Sequence, residues 1–166
     1  MYKWIGSIFI IVASGGIGIS LSNELQSHLD ALEELKKIFC LLKSELEYTR
    51  APFAEVFEKI KKKAKEPYTT WLEALAARLR EKGTGSFWEI WCETISEKLV
   101  TNQLKEEDKE ELKNAGKSLE YIESIELYIE QLEYKIKHIR EAYQSKKKLC
   151  RSMGIMGGIF LVILLL

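Results

Sequence analysis

In the last third of the chain, apolar residues recur alternately three and four positions apart: Ile122, Ile125, Ile129, Leu132, Ile136, Ile139 and Tyr143. That near-3.5 period puts them on one seam of an α-helix, and such a seam needs partner helices to cover it. Glu126, Glu130, Lys135, Lys137 and Arg140 lie between them and are expected to face water on the opposite surface. The helix then runs through Lys146, Lys147, Lys148 and Arg151 into residues 152–166, which carry no charge. The pattern is that of a water-facing helix joined directly to a bilayer anchor.

A matching seam lies near the start. Leu25, Leu32, Leu35, Phe39, Leu42 and Leu46, widened by Leu29, Ile38 and Leu41 and broken by His28, predict a central helix from about Asn23 to Tyr48. Pro52 suits the first turn of the next helix, where a missing N–H costs nothing. Phe53, Val56, Phe57 and Ile60 would form its buried face, and Lys61, Lys62, Lys63 and Lys65 would suit its negative end. Pro67 opens a third helix with Trp71, Leu72, Leu75, Ala76 and Leu79 on one side, closed by Gly83 and Gly85. Ser86 and Glu89 have capping-box spacing and start a fourth, which carries Phe87, Trp88, Ile90, Trp91, Ile95 and Leu99. Trp88 and Trp91 share a face as core packing, or else as an aromatic ridge for a partner. A fifth, acidic segment runs from Leu104 to Gly116, with Leu104, Leu112 and Ala115 as its apolar contacts and Asp108 on a solvated face. No segment shows a strand period. The expected fold is all-α, an antiparallel six-helix bundle flanked by N- and C-terminal transmembrane helices.

The distribution of charge sharpens that division. The chain of 166 residues has 25 basic and 25 acidic side chains, a balance that argues against nucleic acid as a partner. Lys3 is the only charge before Glu24, and none follows Arg151. Residues 4–21 would span about 27 Å as a helix, close to a hydrocarbon core of about 30 Å. A cleaved signal peptide is the rival reading of this stretch. Residues 152–166 would span only about 22 Å, a mismatch that snorkelling by Lys148 and Arg151 or local thinning would relieve. The chain thus divides into an anchor over 1–22, a bundle over 23–148 and an anchor over 149–166. Basic residues cluster on the bundle side of both anchors, which places the bundle in the cytoplasm. Cys40, Cys92 and Cys150 lack C-x-x-C spacing and fit buried or membrane-facing thiols in a reducing compartment. Ser14 with Gly18, and Gly154 with Gly158, repeat a small-x-x-x-small spacing that would let anchor helices pack closely.

Sites for chemistry are scarce. His28 and His138 form no zinc-type pair, there is no Walker loop and no G-x-S-x-G elbow. Composition points to an assembly part over an enzyme, with no metal, cofactor or catalytic residue expected.

A resemblance extends this reading. Lys3, Ile5, Gly6 and Gly18, then Leu42, Glu45, Tyr48 and Pro52, are similar to the N-terminal pattern of the stage III sporulation protein AB family of endospore-forming bacteria. Trp91, Asp108, Leu112 and Gly116 match that family's tryptophan, aspartate and Leu-x-x-x-Gly stretch, and Ser152, Gly154, Gly157 and Gly158 match its ending. Glu120 departs from it, since relatives often carry glycine there. The family resembles the helical domains of type II secretion F platform proteins. What the resemblance implies is a membrane-anchored scaffold of the sporulation channel complex between mother cell and forespore, required for late forespore development and located in the mother-cell membrane around the forespore. Its implied partners are a secretion-type ATPase, stage III sporulation protein AA, and other stage III sporulation membrane proteins, with homo-oligomers possible. Glu45, Tyr48, Pro52, Trp88, Trp91 and Asp108 are the candidate motif or partner-interface residues. A membrane-tethered helical adaptor unrelated to sporulation is the alternative.

Overall fold

A computed structural model describes the backbone of residues 2–49, 51–81, 85–100, 103–119 and 121–165, and the side chains of those between 23 and 146. The elements are α1 (Tyr2–Tyr48), α2 (Phe53–Lys61), α3 (Tyr68–Arg80), α4 (Phe87–Lys98), α5 (Glu106–Ala115), a single 3-10 turn (Gly116–Ser118) and α6 (Ile122–Leu165). All are helical, and among the described residues there is no strand. Asp30–Ile136 form one compact unit, and Met1–Leu29 with Lys137–Leu166 form another. Among the described residues no helix is long and apolar enough to cross a membrane. The apolar stretches 4–21 and 152–166 lie outside the described side chains.

Within the Asp30–Ile136 unit the helices alternate in direction. Lys36 pairs with Glu133 at 2.7 Å, and Lys43 pairs with Glu126, so partners on α6 fall in number as those on α1 rise. The two seams therefore pack antiparallel, with Phe39 against Tyr128 at a ring separation of 4.6 Å. Arg80 with Glu58 and Lys61 with Glu73 set α3 antiparallel to α2. Phe53 meets Phe87 and Phe57 meets Trp91, so α4 runs parallel to α2. Ser86 caps α4 as its spacing predicts, accepting from Glu89 N at 3.3 Å while Glu89 Oε2 accepts from Ser86 N at 2.7 Å. Before it, Gly85 takes φ +90°, a conformation that side chains with a Cβ rarely adopt.

Three expectations need correcting. First, α1 does not begin near Asn23: its helix is continuous from Tyr2 to Tyr48. Second, the buried seam of α6 runs through Ile125, Tyr128, Leu132 and Ile136, while Ile129 is only half-buried. Tyr128 takes the core position because its ring reaches Phe39, although Ile129 is the residue that keeps the alternating spacing. Third, Lys135 does not face water with Glu130 and Lys137, but turns toward α5. The corrected seam gives a graded expectation. Leu132→Ala should cost about 2–5 kcal/mol, Ile129→Ala less, and Glu130→Ala under about 0.5 kcal/mol. Urea midpoints of the three variants would check it, and equal midpoints would mean that the face is misassigned.

Candidate functional site

The candidate residues fall into two groups. Trp91 and Asp108 lie inside the bundle with Leu112 and Gly116; Glu45, Tyr48, Pro52 and Trp88 lie at its surface.

Trp91 is the hub of the core. Its ring lies 5.0 Å from Trp71, 5.9 Å from Phe87, 6.1 Å from Phe57 and 6.4 Å from Phe39. Its indole Nε1 donates to Leu112 O at 2.9 Å. That carbonyl is accessible because α5 tightens at its end: Gly116 N donates to Lys113 and Asn114 instead of continuing the α-helical ladder. Gly116 is glycine for lack of space. Its φ of −61° suits any residue, but a Cβ there would stand 2.2 Å from Trp91 Cδ1. Three positions of the family pattern thus form one joint between α4 and the end of α5.

The fourth holds the other end of α5. Asp108 is buried, against the expectation of a solvated face. Its Oδ2 accepts from Lys105 N at 3.0 Å, which caps the first turn, and its Oδ1 accepts from Lys135 Nζ at 2.9 Å. The same ammonium donates to Glu111 Oε2 at 2.6 Å. Burial opposes the charge on Lys135, but the hydrogen bonds to Glu111 and Asp108 outweigh it and hold its pKa above the ordinary lysine value. Two buried tyrosines sense these carboxylates. Tyr68, whose hydroxyl donates to Ala31 O at 2.8 Å, is pushed up by burial and then by Glu34 and Asp108. Tyr128 is pushed up by burial, then by Glu111 and Asp108.

These groups make stability fall in alkali. In the unfolded chain tyrosine loses its proton near pH 10 and lysine near pH 10.4. The folded protein retains those protons, so above about pH 10 the unfolded state binds fewer of them. Stability is then full below that range and drops by about 1.4 kcal/mol per pH unit for each buried tyrosine, with Lys135 acting in the same direction. Urea titrations between pH 8 and 11 should show the fall, and Tyr128→Phe should reduce its slope. A flat profile would contradict the burial of these hydroxyls.

At the surface, Trp88 and Trp91 do not share a buried face as core packing requires: Trp91 is 1% exposed and Trp88 43%. Lys117 Nζ sits 5.6 Å over the Trp88 ring. Tyr48 is 85% exposed. Glu45 pairs with Lys59 at 3.0 Å, and Pro52 precedes α2, with its carbonyl accepting from Glu55 N. Cys40 is exposed, not buried, and Cys92 is half-buried, its thiol pushed up mainly by burial. His28 is buried and His138 exposed. Ser14, Gly18, Gly154, Gly158, Glu120 and Cys150 lie outside the described side chains. A cleft of about 510 Å³ between α1 and the α2–α3 turn is lined by charged side chains, with Glu34 Oε1 accepting from Lys37 Nζ and Lys65 N at 3.0 Å each. Among the described residues no group of three or more His, Cys, Asp or Glu side chains converges as a metal site.

Comparison with known proteins agrees with the resemblance of the motif residues. The family model described as stage III sporulation protein AB matches residues 3–166. The chain is 25% identical over 172 residues to the stage III sporulation protein AB of Bacillus subtilis (strain 168), covering 100% of both chains. A solved structure of a stage III sporulation protein AB is similar in fold, with a TM-score of 0.64 at 22% identity, over 71% of this chain and 97% of that one.

Proposed function

Since the chain belongs to the stage III sporulation protein AB family, we propose that it is a membrane-anchored scaffold of the channel complex between mother cell and forespore, required for late forespore development. The observation that carries this reading is where the family pattern goes. Trp91, Asp108, Leu112 and Gly116 are used to fix α5 against α4 and α6. A chain whose recurrent residues maintain shape acts by presenting surfaces to partners.

In this reading residues 4–21 and 152–166 are the anchors and the bundle stands in the cytoplasm at the mother-cell membrane around the forespore. The segregation of charge and the basic residues beside both apolar stretches support it. The partners are a secretion-type ATPase, stage III sporulation protein AA, and other stage III membrane proteins. Affinity capture of the full chain from sporulating cells tests this. A nucleotide-binding protein should co-purify, and its absence from captures that hold other membrane proteins of the complex would contradict the ATPase assignment.

The anchors are proposed to pack through Ser14, Gly18, Gly154 and Gly158, since small residues let helix backbones approach where lipid gives apolar burial no preference. Gly158→Ile should weaken assembly in the membrane and leave the bundle folded. Disulfide crosslinking between cysteines at positions 14 and 158 should be efficient and position-dependent. Uniformly weak crosslinks, with Gly158→Ile assembling normally, would make the anchors passive tethers.

A further inference from the structure

One end of the Asp30–Ile136 unit differs from the rest of its surface. Glu45 with Lys59 and Glu34 with Lys65 N set α1 antiparallel to α2, and Leu112 with Trp91 and Lys117 with Trp88 set α5 antiparallel to α4. The C-termini of α1, α3 and α5 and the N-termini of α2, α4 and α6 therefore come together at this end. Three positive and three negative helix ends offset one another, so side chains set the local potential. Among the described residues these are the exposed carboxylates Glu47, Glu55, Glu81, Glu89 and Glu123. Against them stand Lys117, which already lies over Trp88, Arg80, which pairs with Glu58, and Lys43, which pairs with Glu47. Glu55 and Glu123 have no ion pair among the described residues.

Inside this acidic rim the surface is aromatic. Tyr48 is 85% exposed, Tyr121 62% and Trp88 43%. Phe53 and Phe87, half-buried and 5.1 Å apart, join the patch to the core through Phe57 and Trp91. Tyrosine and tryptophan on a firmly packed base are the residue types that dominate binding energy at interfaces.

We propose that this end is a docking surface for a protein partner whose contacting segment presents an apolar anchor flanked by lysine and arginine. The proposal rests on the scaffold reading and adds the chemistry of one partner. A second copy meeting the same patch would set carboxylates against carboxylates, which disfavours self-association here. An anionic bilayer surface is repelled for the same reason.

The test uses the full chain in its own host, with a photo-crosslinking amino acid replacing Tyr48, Trp88 or Tyr121, and replacing the exposed Tyr134 on α6 as control. The three end positions should crosslink to one common protein, at an apolar residue with basic neighbours, and Tyr134 should not. Reversing the rim charge with Glu55→Lys and Glu123→Lys should cut the yield about tenfold, the scale of electrostatic steering, while the variant keeps a cooperative thermal transition, its midpoint lowered slightly by the first-turn carboxylates lost from α2 and α6. The proposal is overturned by crosslinks to a second copy, to lipid or to an acidic segment, by equal labelling from Tyr134, by absence of crosslinks from all three end positions, or by a yield that ignores charge reversal. Failure of the scaffold reading has its own signature, since cells lacking the chain would then sporulate normally.

Discussion

Trp91→Ala should be the most damaging single substitution in the bundle, costing about 3–5 kcal/mol through lost burial and the cavity left behind. Loss of its hydrogen bond adds to this, because Leu112 O would be left without the indole donor it meets inside the core. The companion variant is Gly116→Ala. The introduced methyl would meet a rigid ring at 2.2 Å, so Trp91 or the 3-10 turn must move, at about 1–3 kcal/mol. The two changes touch the same contact and should not add: with the ring removed, the methyl of Gly116→Ala has room. Denaturant midpoints of both single variants and the double variant measure this. Strict additivity would mean that Gly116 is glycine for another reason.

The second large effect is expected at Lys135. Lys135→Met removes the ammonium that serves Asp108 and Glu111 and leaves Asp108, with its side chain 5% exposed, as a buried carboxylate without that cation. Breaking a fully buried pair costs about 3–5 kcal/mol. Lys135 is 28% exposed, so water can replace part of its role and about 2–3 kcal/mol is expected here. Adding Asp108→Asn should recover much of the loss, since the amide oxygen can still accept from Lys105 N without burying a charge. No recovery in the double variant would show that the ion pair is not the source of the effect.

Most of the fold was legible because each helix carries its own period and its own boundary signals. Pro52, Pro67 and the Ser86–Glu89 box stand immediately before α2, α3 and α4. What escaped the sequence was set by distant partners. Lys135 reads as one more surface lysine until α5 brings two carboxylates to it. Asp108 reads as part of an acidic run, because Lys105 three residues before it is not a capping residue and only the folded first turn shows the bond from Lys105 N to Asp108. The alternating spacing favours Ile129, and only the contact with Phe39 on α1 turns the seam so that Tyr128 is buried in its place. Trp88 and Trp91 lie three residues apart, so they are offset around the helix, and only tertiary packing decides that one is central and the other at the rim. The resemblance located Trp91, Asp108, Leu112 and Gly116 but not their role, which lies in a carbonyl freed by the 3-10 turn and in a missing Cβ.

The central claim is that this chain works by holding a folded surface at a membrane in sporulating cells. It is tested most directly by complementation in the chain's own host after deletion of its gene, with late forespore gene expression as the readout. The full chain should restore expression, residues 23–148 without the flanking apolar stretches should fail though folded and abundant, and Trp91→Ala should fail through loss of the bundle. Restoration by the unanchored bundle to the level of the full chain would contradict the account.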